Sequence, residues 1–311
     1  MERDMTRRDF LGRAVVAGAS VVLPVAAMGR ALAQEPSLGP EVVSVEGDPA
    51  EAVRAAILAL GGIEAFVKPG HQVTVKPNMS FANPPEMATT THPDVVRTVV
   101  ELCLSAGASR VLVMDHTLRD PTSCKERSGL EAALRGMPRV ALLTLNRQHD
   151  FFTEVAVPRG VQLKETEVAK EVLRSDVLIA VPVAKSHSAG EVSLGLKGMM
   201  GLIWDRGVFH SKHDLHQAIA DLSTVLRADL TVIDASRALI TRGPGGPGRV
   251  ARLNRVVASR DPVAADAYAV GLTPWYNRTV RGTQIAHIAR AAELGVGQAD
   301  VSKMRIRQIT A

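Results

Sequence analysis

Residues 176–187 read DVLIAVPVAKSH, an almost unbroken apolar run that ends in Lys185 and His187. A continuous run of β-branched and leucine side chains is typical of a strand whose two faces are both covered. Comparable runs occur elsewhere, and patterns with helical spacing lie between most of them. The sequence therefore predicts an α/β fold with a mainly parallel, open sheet and helices on both faces. The predicted strands are VTVKPN at 73–78, RVLVMD at 110–115, VALLTL at 140–145, DVLIAVPV at 176–183, LTVIDA at 230–235 and RVVAS at 255–259.

Two helices can be placed from the residues that precede them. In HPDVVRTVVELCLSAGA at 92–108, apolar residues recur at helical spacing, and Thr91 is placed to cap the first turn. Ser211 followed by Asp214 forms a capping-box pattern, which predicts that a helix starts there and runs through HQAIADLSTVL at 216–226.

The N-terminus has the features of a secretory signal. TRRDFLGR at 6–13 is charged, the stretch at 14–28 is apolar but short for a bilayer span, and small residues precede a cleavage position near Ala33. The adjacent arginines indicate the twin-arginine route, with the twin-arginine translocase as partner. We expect residues 1–33 to be this signal, residues 34–311 to be a single α/β domain, and the protein to be periplasmic or otherwise exported. An uncleaved membrane anchor is the alternative, although no stable anchor is expected.

Composition excludes two classes of function. The net charge of +5 is modest, the chain has no Lys/Arg run, and aromatic residues make up only 3%, so nucleic acid is not an expected partner. The chain has two cysteines, Cys103 and Cys124, which cannot supply the four thiolates of an ordinary iron–sulfur cluster. Whether they form a disulfide is left open.

Basic and metal-capable side chains follow several of the predicted strands. Ligands of an open parallel sheet bind beyond the carboxyl ends of its strands. We therefore expect one shared pocket for a small anionic ligand, with a divalent transition metal as a candidate cofactor. The Gly- and Pro-rich segment at 241–254 is expected to be a flexible loop that borders this pocket. The residues assigned to the pocket are Lys76 and Asn78 after the first strand, Asp115, His116 and Arg119 after the second, Lys185 and His187 after the fourth, and Asp234 after the fifth.

The segment FHSKHDLHQ at 209–217 holds three histidines spaced three residues apart. Side chains at i, i+3 and i+6 of a helix do not all project toward one ion. The sequence thus predicts that one of the three contributes to a site, and we assign His213 as a metal ligand together with His187. His210 could take the place of His213 as the ligand, and substitution of His216 is expected to affect the site least.

Five short motifs carry a family resemblance. They are KPN at 76–78, THP at 91–93, KSH at 185–187, LKGMMG at 196–201 and DPVAAD at 261–266. In this order, and over roughly residues 40–300, the chain resembles the bacterial and archaeal domain of unknown function 362 family. The resemblance implies the fold but no activity, since none is established for the family.

A more distant likeness is to the N-terminal domain of the nickel-pincer lactate racemase family. DHTLRD at 115–120 resembles a turn of that family, and His187, Lys197 and His213 follow the order of its histidine, lysine and second histidine. The resemblance implies that His187 is an acid/base group, that Lys197 attaches the cofactor and that His213 binds the metal. His116 would be the partner acid/base.

The sequence therefore leads to a working hypothesis with two alternatives. The hypothesis is metal-assisted chemistry on a carboxylate or phosphate compound in the strand-end pocket. The first alternative is a non-catalytic periplasmic binding or cofactor-delivery protein. The second is a nickel-pincer-like racemase or epimerase of 2-hydroxy acids.

The twin-arginine assignment makes a direct prediction about export. Changing Arg7→Lys together with Arg8→Lys should retain the protein in the cytoplasm, because the export machinery reads the arginine pair and not its charge alone. Cell fractionation measures the outcome. Efficient export of the double variant in a strain without the twin-arginine translocase would contradict the assignment.

Overall fold

The computed structural model describes residues 41–146 and 149–311. Within these residues, ten strands form one mixed sheet and two form a small antiparallel pair. The strands are β1 Val42–Glu46, β2 Gln72–Pro77, β3 Arg110–Asp115, β4 Val140–Thr144, β5 Phe152–Ala156, β6 Glu165–Ala169, β7 Val177–Val181, β8 Val183–His187, β9 Glu191–Ser193, β10 Leu230–Leu239, β11 Val250–Ser259 and β12 Ile306–Thr310. The helices are α1 Pro49–Ala59, α2 Pro93–Ser105, α3 Pro121–Arg127, α4 Leu130–Leu134, α5 Lys170–Arg174, α6 Gly195–Gly198, α7 Gly207–Ser211, α8 Leu215–Ser223, α9 Pro262–Val270 and α10 Ala286–Glu293.

The main sheet follows the order β12-β1-β11-β10-β7-β2-β3-β4. Strands β10, β7, β2, β3 and β4 are mutually parallel, whereas β11 runs antiparallel to both β10 and β1. The predicted α/β fold with a mainly parallel sheet is therefore confirmed. Strands β1 and β12, of which β12 lies at the edge of the sheet, were not predicted, and β1 pairs with β11 and β12 from far along the sequence.

Both faces of the sheet are covered, as the continuous apolar runs indicated. In β3, Val111 and Val113 belong to one hydrophobic cluster, which includes residues of α1 and α2. Leu112 and Met114 belong to the other, with residues of α8, α9 and α10. Since side chains alternate between the faces of a strand, β3 contributes to both layers.

The predicted strand 176–183 is interrupted at Pro182, and this interruption shapes the site. Proline cannot donate to a sheet ladder, and β7 ends before it while β8 begins directly after it. The Pro182 carbonyl accepts the Asp234 amide at 2.8 Å, and β8 continues along β10. Lys185 and His187 therefore lie in a strand, and not in a loop after one.

Both predicted helix caps are shifted along the chain. His92, and not Thr91, is the N-cap of α2, because its ring nitrogen accepts the Asp94 amide. Helix α8 begins at Leu215 with Asp214 as its cap, whose carboxylate accepts two amide N–H groups. Ser211 instead ends the separate short helix α7.

The structure answers the question about the two cysteines but does not test the N-terminal signal. Cys103 and Cys124 are both buried and free. The twin-arginine signal lies outside the described residues. In residues 41–146 and 149–311, no helix combines the length and the hydropathy that a membrane span requires.

Asp234 links β10 to the start of α2, which predicts a loss of stability when its carboxylate is removed. The side chain is fully buried and accepts the His92 amide at 2.8 Å and the Ser236 hydroxyl at 2.5 Å. Asp234→Ala should lower the free energy of unfolding by about 1–3 kcal/mol, because buried donors lose their acceptor. Urea denaturation measures the change, with the exposed Glu51→Ala as control. Equal stability of both variants would contradict this role.

Candidate functional site

A cleft of about 220 Å³ opens at the carboxyl ends of β2, β3 and β8. Its wall combines three lysines, an arginine and two histidines with a single carboxylate. The polar and charged residues that line it are Lys76, Asn78, Ser80, Asp115, Lys185, His187, Ser193, Lys197, Arg206 and His210. Six of these were assigned to a site from the sequence at strand exits or by resemblance, namely Lys76, Asn78, Asp115, Lys185, His187 and Lys197.

Lys76 and Asp115 form a buried ion pair at the base of the cleft. Their Nζ and Oδ1 atoms lie 3.0 Å apart, and both side chains are about 1% exposed. The other carboxylate oxygen of Asp115 accepts the Met79 amide at 2.8 Å and the Ser80 hydroxyl at 3.0 Å. Burial lowers the pKa of Lys76, and Asp115 opposes that shift.

The backbone of Gly201 packs closely against this ion pair. A Cβ atom on Gly201 would collide with Asp115 Oδ1 and with Lys76 Cε. The last glycine of the LKGMMG motif is therefore required by the close approach of the chain to the pair.

Lys185 reaches the cleft from β8 and is almost fully buried. Its Nζ donates to the Thr89 carbonyl at 2.7 Å and lies 5.3 Å from the centroid of the Phe81 ring. Burial lowers the pKa of Lys185 to about 7, because Asp115 compensates only part of the lost hydration. This lysine therefore loses its proton more readily than an exposed lysine does.

Lys197 enters the cleft from α6, and a distant aspartate fixes that helix. The Gly195 and Leu196 amides donate to the carboxylate of Asp266 at 2.8 and 2.9 Å. The Lys197 Nζ makes its polar contact with a thioether, Met200 Sδ, at 3.7 Å. Burial, and then the charge of Arg206, lower the pKa of Lys197 to about 8.

His187 has a defined tautomer in its neutral form. Its Nδ1 accepts the Ala189 amide at 3.1 Å and the Gly190 amide at 3.0 Å, so Nε2 carries the proton. Burial, followed by the charges of Lys197 and His210, lowers the pKa of His187 to about 3. The ring is therefore neutral at physiological pH and offers an N–H donor.

Arg206 is the site residue that the sequence reasoning missed. It follows no predicted strand, and it reaches the cleft from the segment before α7, where it donates to the Thr117 carbonyl at 3.3 Å. Arg119, assigned from the sequence, is exposed and lies outside the cleft. The guanidinium of the site thus comes from a different segment. The sequence signal that could have indicated Arg206 is its position shortly after the LKGMMG motif.

His116 and Asp234 were also assigned to the pocket, but neither lines the cleft. The His116 ring packs against Trp204, with 5.8 Å between ring centroids, and its Nδ1 contacts the Ile203 carbonyl at 3.1 Å. The Asp234 carboxylate is occupied by the start of α2, as described above. The Gly- and Pro-rich loop does reach the cleft, through Pro244.

The three histidines of 209–217 have three different environments. His210, in α7, lines the cleft, and its ring stacks near that of His187 at a centroid distance of 6.1 Å. His213 lies between two helices, with its ring against Phe209, and does not line the cleft. The Nδ1 atom of His216 lies 3.2 Å from Nδ1 of the fully buried His287.

The donor atoms of the cleft do not fit a transition metal. A metal takes the lone pair of an imidazole nitrogen, and His187 has none free because Nδ1 accepts two amides. In the described part of the chain, no three His, Cys, Asp or Glu side chains are grouped so that they could hold an ion. The geometry thus gives no support to His187 and His213 as a metal pair, and that assignment stays a prediction. His213 also lies outside the cleft.

Comparison with known proteins places the chain in a family. Residues 73–271, which include all the cleft residues discussed above, match the family model described as Domain of unknown function (DUF362). The chain belongs to this family. The resemblance inferred from the five motifs is thereby confirmed.

Two individual proteins are similar to this member of the family. The thylakoid-associated protein sll1697 of Synechocystis is 25% identical over 223 residues, which are 69% of this chain. The alignment spans 66% of that relative's length. The lactate racemase apoprotein from Thermoanaerobacterium thermosaccharolyticum is similar at a TM-score of 0.44 and 12% identity, covering 71% of this chain and 54% of the racemase. A likeness of that degree carries no argument about chemistry.

The buried ion pair makes a prediction about coupled stability. Asp115→Asn and Lys76→Met should each lower the free energy of unfolding by about 3–5 kcal/mol, because each leaves a buried charge without its partner. The double variant should be less destabilised than the sum of the two single variants. Urea denaturation of all four proteins measures the coupling. Strict additivity would show that the two side chains do not depend on each other.

Proposed function

We propose that this protein binds a small anionic molecule, a carboxylate or phosphate compound, in the strand-end cleft. The observation that carries the proposal is an excess of buried positive charge. The only carboxylate among the described residues that line the cleft, Asp115, is paired with Lys76. Lys185, Lys197 and Arg206 remain around the same small space.

The depressed pKa values of these cations support the same proposal. Taking a cation out of water without an anion nearby is unfavourable, and a lysine responds by losing its proton more readily. Burial is the main cause of the lowered pKa in Lys185, Lys197 and Arg206. A bound anion would compensate for the lost hydration of all three groups.

The neutral His187 adds a directional contact to this electrostatic one. Its Nε2–H is free to donate to an oxygen of the ligand, because the other ring nitrogen is held by two backbone amides. The small volume of the cleft, about 220 Å³, is below the range of typical drug-sized sites and favours a compact ligand.

Metal-assisted chemistry is not part of the proposal, since the cleft residues do not fit a metal. The two alternatives from the sequence differ in what supports them. A binding or delivery protein without turnover requires only the anion site. A nickel-pincer racemase would need a second histidine as metal ligand, and His213, the residue assigned to that role, does not line the cleft.

We further propose that the protein acts after export by the twin-arginine translocase, in the periplasm or outside the cell. The support is the sequence TRRDFLGR and the apolar segment that follows it. An anionic metabolite of that compartment would then be its ligand.

The proposal predicts a charge-dependent and pH-dependent affinity. Oxalate and inorganic phosphate should bind, while oxamide, the uncharged analogue of oxalate, should not. Affinity for oxalate should fall as the pH rises from about 6 to about 9, because Lys185 and Lys197, with pKa values of about 7 and about 8, lose their charges. Isothermal titration calorimetry measures both effects.

Matched variants separate the cleft from general surface charge. Arg206→Met and Lys185→Met should weaken oxalate binding about 10- to 100-fold, which is the usual effect of losing one charged hydrogen bond. Arg119→Met removes an arginine that is outside the cleft and should bind as the unchanged protein does. Equal losses in all three variants, or equal binding of oxalate and oxamide, would overturn the proposal.

A further inference from the structure

The amine of Lys197 differs from the other two lysine amines of the cleft in what it contacts. Lys76 Nζ faces a carboxylate, and Lys185 Nζ donates to a backbone carbonyl at 2.7 Å. Among residues 41–146 and 149–311, the Met200 sulfur is the one hydrogen-bond acceptor of Lys197 Nζ, at 3.7 Å. A thioether is a weak acceptor, so this amine is not committed to the protein and can turn toward a ligand.

The charge state of Lys197 suits a nucleophile. A lysine becomes nucleophilic when burial or a neighbouring cation favours its uncharged form. Both influences act here, because the side chain is buried and Arg206 lies close enough to oppose its protonation. With a pKa of about 8, an appreciable fraction of the amine is uncharged at neutral pH.

His187 stands on the same wall as Lys197. Gly190 lies between them, since a Cβ built there would be 3.2 Å from Lys197 Cε and 3.6 Å from His187 Nδ1. The two side chains can therefore address one functional group of a ligand. The amine would approach its carbon atom, and the Nε2–H of His187 would donate to its oxygen.

We propose that Lys197 forms an imine with the carbonyl group of a small 2-oxo carboxylic acid bound in the cleft. The inference rests on the proposed anion site, in which Lys185 and Arg206 hold the carboxylate. A 2-oxo acid suits this arrangement because its carboxylate can pair with Lys185 and Arg206. The adjacent carbonyl then presents an electrophilic carbon to the Lys197 amine.

The step balances without any further reactant. The Nζ lone pair attacks the carbonyl carbon, a C–N bond forms, and the carbonyl oxygen takes up a proton that the nitrogen releases. The resulting carbinolamine loses its hydroxyl group together with the second proton of the nitrogen as water, and a C=N bond replaces the C=O bond. Nothing is oxidised or reduced. His187 stabilises the developing negative charge on the oxygen by its hydrogen bond.

Reductive trapping tests the inference on the full chain. Pyruvate with sodium cyanoborohydride should give one stable adduct per chain, located at Lys197 by peptide mass spectrometry. Lactate, which has no carbonyl beside its carboxylate, should give none. With the cleft saturated by pyruvate at every pH, imine formation should slow as the pH falls below about 8, because protonation of Lys197 removes its lone pair.

Two variants keep the test decisive. Lys197→Arg keeps a positive charge in the cleft but removes the nucleophilic amine, so it should give no adduct even at pyruvate concentrations that saturate the unchanged protein. Lys185→Met retains the nucleophile and should slow trapping through weaker binding. An unfolding curve close to that of the unchanged protein confirms that each variant is folded. If the arginine variant is not folded, Lys197→Met replaces it; this variant should bind oxalate more weakly and likewise give no adduct at position 197.

The outcomes distinguish this inference from the proposed function. Adducts on exposed lysines such as Lys212 and Lys303, or undiminished trapping in Lys197→Arg, would overturn the imine. If oxalate binds and pyruvate gives no adduct, the anion site stands and the imine falls. If oxalate does not bind either, both proposals fall.

Discussion

The ion pair between Lys76 and Asp115 is the interaction on which the cleft depends. It joins the carboxyl ends of the neighbouring parallel strands β2 and β3, and Asp115 also holds the segment after β2 through the Met79 amide. Because both groups are buried, neither tolerates loss of the other. Gly201 can approach only because it has no side chain, so the pair also fixes the path of the chain that carries Lys197 and Arg206.

The remaining charges of the cleft form a preorganised positive environment. Backbone contacts hold the side chains in place before a ligand arrives, as the Thr89 carbonyl does for Lys185 and two amides do for His187. Binding of the proposed anion would then need little reorganisation, which favours affinity. Lowered pKa values are the electrostatic consequence of the same arrangement.

The sequence predicted the parallel sheet well, since continuous apolar runs report burial on both faces regardless of distant contacts. It also found Lys76, Asp115, Lys185 and His187, because a single rule relates strand ends to ligand sites. It failed where side-chain direction decides the outcome. Asp234 was expected at a strand end like Asp115, but it lies within β10, and its carboxylate accepts the His92 amide at the start of α2. Arg206 could not be found by that rule, since it follows no strand.

The contact between the Asp266 carboxylate and α6 can form only late in the synthesis of the chain. It holds the first amides of α6, the helix that carries Lys197, from a position 71 residues further along the chain. A growing chain on the ribosome therefore lacks this contact until nearly the whole domain has been synthesised. A truncated protein that ends before α9 would have the KPN, KSH and LKGMMG motifs and still present Lys197 on an uncapped helix. The contact that caps the helix of Lys197 is thus one of the last that a growing chain can form.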